Sequence, residues 1–286
     1  MPIMRLEASN FKSFEKLDVN LNPFNVIIGA NASGKSNFVS IFKFLKDIAE
    51  SGLDNAISMQ GGAEYVRNMN LGTGKDLTIR VHTAPPRATG FPFTVFQNGG
   101  PHAPHALAQI EDYSYGFSIG FGKKEEFKIT KEALEIRFTI EETDKGSAMT
   151  IPPERRLIVT ATREGGRFVF SYTPDDLQIP ISEILPDYIY RESQGRPFSK
   201  RLIIQTPYSF LLSILSESFR DIAIFDLDPR LSKRSTLITG KTQLEPDGSN
   251  LAIALKRIIE NKRGRERIRS LAKELLPFVD FLVSAG

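Results

Sequence analysis

Two adjoining stretches decide the fold of this 286-residue chain: FNVII at residues 24–28 and GANASGKS at residues 29–36. The first is a short apolar run, which is typical of a strand buried on both faces of a sheet. The second fits the pattern G-x-x-x-x-G-K-[ST], which chance produces in roughly one of a hundred chains of this length. Beyond it, apolar residues recur at three- and four-residue steps and predict an amphipathic helix. These residues are Phe38, Ile41 or Phe42, Leu45 and Ile48. Buried strand, glycine loop and helix therefore follow in the order that a phosphate-binding loop requires.

The residues of the loop suit a polyphosphate ligand. Successive backbone N–H groups can wrap the phosphates, and glycine at positions 29 and 34 lets the backbone approach them closely. The new helix adds its unpaired N–H groups and the positive end of its dipole. Lys35 would reach the β- and γ-phosphates as a point charge, and Ser36 would offer its hydroxyl to Mg²⁺. The sequence therefore predicts a nucleotide and Mg²⁺ site formed by Gly29, Ala30, Asn31, Ala32, Ser33, Gly34, Lys35 and Ser36.

Composition and charge exclude several other kinds of protein. The chain has no cysteine, which excludes disulfide frameworks, thiolate metal sites, iron–sulfur clusters and a cysteine nucleophile. Its net charge of +3 is too small by itself to require a nucleic-acid or membrane partner. No run reaches the roughly 18 apolar residues of a membrane span, since the nearest, at 203–215, is interrupted by Gln205, Thr206 and Pro207. We expect a cytoplasmic protein without a membrane partner.

The remainder of the chain divides into a strand-rich part and a helical part. Six segments within residues 77–173 have strand-like composition, and several alternate apolar with polar residues, which predicts an antiparallel, half-exposed sheet. Helical patterns follow at 209–219 and at 245–276, the latter with a cap at Asp247 or Ser249 and a weak point at Gly264. Between them, IAIFDLDP at 222–229 has the composition of a buried strand.

These patterns predict an α/β fold of the P-loop NTPase type. A mixed sheet would carry the phosphate loop, with an adjoining antiparallel β-sheet and a helical region. We expect residues 1–180 to form the nucleotide-binding lobe with the antiparallel sheet as an insertion. Residues 181–286 would form a mainly helical region that continues into a second lobe outside this chain.

The first fifty residues carry a resemblance to a known family. The stretch LEASNFKSF at 6–14, followed by LNPFNVIIGANASGKSNF at 21–38, resembles the N-terminal lobe of ABC-type ATPases of the RecF/SMC class. It is most similar to the predicted-ATPase branch related to RecF and to OLD-family phage-defence proteins. The strong match covers residues 3–50, and LEPDGSNLA at 244–252 resembles a further segment of that branch. The resemblance implies an ABC-type first lobe that binds ATP with Mg²⁺ and hydrolyses it.

The same resemblance implies partners and roles for individual residues. ATP would lie between two copies of the chain in a homodimer, whose engagement and release would act on DNA or on a nuclease partner, in DNA repair or phage defence. Asn31 would sit beside the γ-phosphate and Asn37 would begin the helix. Lys12 would lie near the nucleotide, although a solvated lysine fits the position equally well. For the Mg²⁺-contacting glutamine the candidate is Gln205, which can also be a plain strand-end amide; Gln60 and Gln97 are weaker candidates.

Some motifs of that family are missing from the sequence. It has no signature loop, no histidine after His105, and no hydrophobic strand that ends in Asp-Glu. The nearest match to that strand is IAIFDLD, where Asp226 could be the metal-side acid but Leu227 stands in the place of the catalytic glutamate. No catalytic residue is therefore assigned. Two interpretations remain open: an ATPase whose catalytic second lobe lies elsewhere, or an interaction module that binds ATP with negligible hydrolysis.

Two further hypotheses come from the residues alone. A P-loop kinase or GTPase is disfavoured, because no NKxD-type guanine motif is present and the antiparallel insertion is large. Residues 256–273 contain eight basic and two acidic side chains, and such a helical stretch could contact DNA phosphates. A solvated helix face explains the same pattern.

Overall fold

An antiparallel sheet dominates the first of the two units into which the chain divides, Met1–Ile222 and Ala223–Gly286. The structure is a computed structural model that describes residues 2–72, 74–84, 90–93, 96–97, 106–122, 126–142, 155–164, 167–175, 177–178, 201–205, 210–233 and 243–278. The strands are β1 Ile3–Phe11, β2 Phe14–Asn20, β3 Leu77–Thr83, β4 Gly90–Phe93, β5 Phe96–Gln97, β6 Ala106–Phe121, β7 Phe127–Glu142, β8 Arg155–Glu164, β9 Arg167–Thr173 and β10 Leu177–Gln178. Eight of them form one sheet in the order β2-β1-β3-β6-β7-β8-β9, with β4 against β6, while β5 pairs with β10.

Alternation along the strands explains why this sheet has a single core face. On β3 the side chains of Leu77, Ile79 and Val81 are buried, while those between them are half-buried or exposed. The same period of two recurs on β7, where Leu134, Ile136, Phe138 and Ile140 are buried. Each pairing among the described strands is antiparallel. The predicted antiparallel sheet is therefore confirmed.

Helices cover the core face of the sheet. They are α1 Lys35–Ser51, α2 Leu53–Met59, α3 Ala63–Val66 and α4 Phe210–Arg220, together with a 3-10 turn at Ile203–Gln205. The helix predicted after the phosphate loop is α1, whose buried apolar residues include Ile41, Phe44, Leu45 and Ile48. Helix α4 belongs to this unit because its buried Phe219 packs on Tyr115 of β6, with ring centroids 6.3 Å apart.

The predicted strand at 24–28 is wrong in this structure. No strand among the described residues pairs with it, and Phe24 and Ile28 are 82% and 88% exposed. A strand buried on both faces needs neighbours on both edges, and the part of the first unit that the structure describes supplies none here. Instead the segment begins in a local turn, in which the Asn25 side chain accepts from the backbone N–H of Asn22 and donates to its carbonyl. Consequently the phosphate loop is not carried by a mixed sheet, and β1 joins the antiparallel sheet.

Among its described residues the second unit holds two helices, α5 Leu251–Glu260 and α6 Lys262–Leu275. They part at Asn261 and not at the predicted Gly264, because the Asn261 side chain accepts from the N–H of Arg263 and so caps α6. The cap residue of α5 is Asn250, in place of the expected Asp247 or Ser249, and its buried amide bonds the preceding loop at Gln243 and Glu245. Asparagine is a common helix cap, so Asn261 in the sequence could have predicted where α6 begins.

The segment predicted as a buried strand at 222–229 is also different. It is not part of a described strand, and Phe225 and Leu227 are half-exposed. The backbone N–H groups of Asp226 and Asp228 donate to the carbonyls of Pro246 and Asp247, so a nearby turn takes up its hydrogen bonds.

The expected domain boundary at 180 lies within residues 179–200, which are outside the described residues, and it stays a prediction. Among the residues that the structure covers, no helix is both long and apolar enough to cross a membrane.

Candidate nucleotide-binding loop

The loop at residues 29–34 has the backbone shape that the glycine pattern predicts. Ala32 and Gly34 have φ values of 64° and 96°, in the left-handed region. The N–H of Ser33 donates to the carbonyl of Ala30, which closes a turn. Helix α1 then begins at Lys35, and its first hydrogen bond runs from the N–H of Phe38 to the carbonyl of Gly34. Alternation of left- and right-handed residues turns successive N–H groups toward one concave side, which is an anion-binding shape.

Gly34 is required here for two reasons. An L-residue at φ of 96° is strained by about 1–2 kcal/mol. A Cβ at this position would also come within 3.3 Å of both the Phe14 ring and the Ser13 hydroxyl. The loop therefore packs closely against the turn between β1 and β2.

Lys35 places its ammonium group inside the loop. Its Nζ donates to the carbonyl of Gly29 at 2.8 Å and to the carbonyl of Ala30 at 2.7 Å. The first turn of α1 contains no acidic residue, so nothing in that turn cancels the positive end of the helix dipole. Ser36 follows in the same turn and is exposed. An ammonium, a helix start and a hydroxyl thus occur together, and they are the groups that a phosphate chain with a divalent cation would use.

The turn between β1 and β2 holds the start of α1. The amide of Asn37 donates to the hydroxyl of Ser13 at 2.7 Å. Lys12, the neighbouring residue, has a φ of 46°, and its backbone N–H donates to the carbonyl of Val66. Sequence reasoning assigned no role to Ser13, although it lies in the NFKSF stretch that carries the resemblance.

The Lys12 side chain lies beside α1. Its ammonium lies 5.9 Å from the centroid of the Phe11 ring. Partial burial, and then the nearby charge of Lys43, lowers the pKa of Lys12. Lys43 lies two turns along the helix from Lys35, a rise of about 12 Å. The turn that contains Lys12 thus lies at the start of α1, while the Lys12 ammonium lies near Lys43 further along the helix.

The structure does not bring Gln205 to the loop. Its Oε1 accepts from the N–H of Leu202 at 2.7 Å and so caps the 3-10 turn in which it sits. Its Nε2 would lie 2.8 Å from a Cβ at Gly52, at the C-terminal end of α1. Helix α1 has 17 residues and is therefore about 25 Å long. The metal role predicted for Gln205 does not fit this position, because the amide is committed to a local cap at the opposite end of the helix.

The weaker glutamine candidates are not at the loop either. Gln60 contacts Asp47, three turns along α1, where burial raises the pKa of the Asp47 carboxyl. The side chain of Gln97 is outside the described residues, and Asp226 is exposed and lies in the second unit on a segment that is not part of a described strand. None of these groups is therefore assigned to Mg²⁺.

One feature beside the loop was not predicted. A cavity of about 440 Å³ adjoins Gly29, Ser33 and Lys35. Its apolar wall is formed by Leu17, Val19 and Leu21 of β2 and its continuation, by Val26 and Ile28, and by Phe38. The cavity is bordered by both β2 and the segment at 24–28. It depends on how these parts of the chain meet, so no sequence motif could have predicted it.

Comparison with known proteins bears on this loop directly. Residues 24–103 match a family described as an AAA domain, putative AbiEii toxin, Type IV TA system. A curated relative, Endonuclease GajA of Bacillus cereus (strain VD045), is 43% identical over 47 residues, which are 16% of this chain and 8% of that protein. The chain thus spans only a small part of this relative. Together the two matches support a P-loop ATPase of the OLD/RecF-like kind, with an α/β fold.

Proposed function

We propose that the chain binds Mg-ATP at residues 29–36 and hydrolyses it slowly in a dimer of two copies. Formation and release of that dimer would regulate contact with DNA or with a nuclease partner. The observation that carries the proposal is the Lys35 ammonium, held within a left-handed loop at the start of a 17-residue helix. The match to a P-loop ATPase family over residues 24–103 supports it.

The residues present fit the ligand. Lys35 would exchange its two carbonyl partners for phosphate oxygens, and the N–H groups at the start of α1 would donate to the same anion. Ser36 would hold Mg²⁺, and the bound cation would neutralise charge that develops on the β- and γ-phosphates. Asn31 is exposed on the loop, where it could meet the γ-phosphate and a second copy. Asn37 and Lys12 would support the loop from the side of the β1–β2 turn.

A second candidate function is a module that binds ATP with negligible turnover. It is favoured by the segment nearest in pattern to the acidic strand of an ATPase, which is exposed and carries Leu227 where the glutamate should follow Asp226. ATP would then act by ordering the surface around the loop for a partner.

Calorimetric titration with Mg-ATP tests the site. Lys35→Ala should weaken binding about 10- to 150-fold, because a hydrogen bond to a charged group contributes about 1.5–3 kcal/mol. Lys46→Ala is the matched control, since Lys46 lies on the same helix but pairs with Glu50 at 3.8 Å, away from the loop. Equal binding by both variants, or no heat from the unchanged chain, would contradict the proposal.

Phosphate release separates the two candidate functions. We expect the rate per molecule to rise with protein concentration, because the active form would be a dimer. A rate that does not depend on concentration would argue against the dimer. Tight Mg-ATP binding with no release of phosphate would favour the binding module.

A further inference from the structure

The positive charge of this chain is concentrated in one short stretch. Residues 256–273 contain eight basic and two acidic side chains, a net charge of +6. The other residues contain 29 basic and 32 acidic side chains, so they carry a net charge of −3. A local excess of this size on an otherwise slightly acidic chain marks a surface for a polyanion, since attraction depends on the distribution of charge and not on its sum.

The stretch covers the second half of α5 and most of α6, and on α6 several of the basic residues share one face. At 100° per residue, four basic residues lie within an arc of about 80° and form a row along the helix. They are Lys262, Arg265, Arg269 and Lys273. The row is about 16 Å long; Arg263 and Arg267 lie outside its arc, and Glu266 borders it. None of the residues of α6 is buried.

Local contacts hold this row in place. Asn261 caps the start of α6, and the Arg265 Nε donates to the carbonyl of Ile259 at the end of α5. Gly264 lies so close to Ile258 that a Cβ would collide with its carbonyl oxygen. Two helices joined this tightly present their charges at a defined spacing, which a flexible basic tail does not.

We propose that the basic row of α6, defined as Lys262, Arg265, Arg269 and Lys273, binds the phosphate backbone of duplex DNA without reading its sequence. A row about 16 Å long matches a length of duplex whose two strands together carry about ten phosphate charges, one per ~1.7 Å of axis. Five of the eight basic residues in the stretch are arginine, whose planar guanidinium binds phosphate oxygens in pairs. The row has no aromatic neighbour on α6, so stacking on unpaired bases is not available there.

An anionic membrane fits the same surface less well. A helix that lies in a membrane interface needs a broad apolar face, commonly with aromatic anchors. On α6 the apolar arc consists of Gly264, Ile268, Leu271, Ala272 and Leu275, and two of these five are small. This apolar face is therefore too small to anchor so strongly charged a helix in a membrane interface.

This inference deepens the proposed function by naming its nucleic-acid partner and the surface that holds it. The proposed function gives DNA binding its purpose. The binding itself does not require the phosphate loop, because the row and the loop are in different units. Lys35→Ala should therefore keep its affinity for DNA. Loss of ATP binding and loss of DNA binding can thus be told apart.

Fluorescence anisotropy with a labelled duplex of about 30 base pairs tests the row in the full 286-residue chain, at salt from roughly 50 to 200 mM. The row variant combines Lys262→Gln, Arg269→Gln and Lys273→Gln. It should bind roughly tenfold more weakly or worse, and the slope of log affinity against log salt should fall in magnitude by about 3. A control with the same loss of charge combines Lys16→Gln, Lys128→Gln and Lys131→Gln, which are exposed in the first unit. Circular dichroism verifies that both variants keep their helices.

Three results would overturn the proposal. The first is equal affinity and equal salt slope in the row variant and the control. The second is binding to vesicles rich in phosphatidylserine without binding to the duplex. The third is tighter binding to single-stranded RNA than to the duplex, because the row would then serve a different polymer.

Discussion

The antiparallel sheet and the segment at 24–28 make an instructive pair, because both have the apolar composition of strands. In the sheet, β6, β7 and β8 each pair with the next strand along the chain, and the side chains of their core face are buried. The segment at 24–28 has no such neighbour among the described residues, and its side chains are largely exposed. Apolar composition thus indicates that a stretch favours a buried strand. Whether the strand forms depends on a neighbouring strand with which it can pair.

Hydrogen bonding explains why the two regions differ so sharply. A hairpin strand satisfies its backbone groups through a neighbour joined by a short turn, so the local sequence contains the partner. A strand buried on both faces belongs to a parallel arrangement whose neighbours come from distant parts of a chain. For residues 24–28 the backbone is left to local turns and solvent, as the Asn22–Asn25 contacts show.

The largest test of the comparison is a pair of matched truncations. Phe117 on β6 is 2% exposed and packs near Tyr115, while Phe24 is 82% exposed. Phe117→Ala should lower the free energy of unfolding by about 3–5 kcal/mol, whereas Phe24→Ala should change it by less than about 0.5 kcal/mol. Urea denaturation measures both. A loss of several kcal/mol in Phe24→Ala would show that residues 24–28 are buried in solution and that the strand prediction was right.

The next test addresses a charged pair in the core of the sheet. Glu132 and Arg163 form an ion pair and are both nearly inaccessible, at 1% and 5% exposure. Glu132 also accepts from the Tyr115 hydroxyl and from the N–H of Ile203, each at 2.6 Å, which ties the sheet to the 3-10 turn. Arg163→Met should cost about 3 kcal/mol or more, because it leaves a buried carboxylate uncompensated.

A double variant is the control for that pair. Glu132→Gln combined with Arg163→Met removes both charges, so it should be more stable than Arg163→Met alone in the same urea titration. A double variant that is less stable than the single variant would mean that the Glu132 charge is compensated without Arg163.

The sequence predicted those parts whose determinants are close together in the chain. The phosphate loop was predicted because its eight residues are contiguous, and the antiparallel strands because alternation is local. The position of Gln205 could not be predicted, since its neighbour Gly52 lies far away in sequence. The contact of Asn37 with Ser13 is similar, because it depends on how the β1–β2 turn meets α1.

A smaller loss of stability is expected from a substitution in the phosphate loop, which joins the segment at 24–28 to α1. Gly34→Ala puts a Cβ at a φ of 96° and against Phe14, so the free energy of unfolding should fall by about 1–2 kcal/mol. Its affinity for Mg-ATP should fall as well. Gly74→Ala is the control, because a Cβ there meets nothing within 4 Å. Equal stability and equal nucleotide affinity in the two variants would mean that the loop adopts another shape in solution.

The smallest effect concerns how two acids of the sheet respond to pH. Burial raises the pKa of Glu132 above its ordinary 4.5, whereas the hydrogen bond from Thr139, with further support from Arg156, lowers the pKa of Glu111 below it. A raised pKa contributes stability that is complete below pH 4.5 and is lost as the pH rises through the folded value. A lowered pKa contributes stability that is present above pH 4.5 and is lost as the pH falls through the folded value.

Stability measured against pH in Glu132→Gln and Glu111→Gln separates these contributions. Relative to Glu132→Gln, the unchanged chain should lose stability as the pH rises above 4.5. Relative to Glu111→Gln, it should lose stability as the pH falls below 4.5. Opposite slopes would place Glu132 within the core of the sheet and Glu111 at its wetter surface. Slopes of the same sign would mean that water reaches the core face, and the contrast between the formed sheet and the exposed segment would then be smaller than the structure indicates.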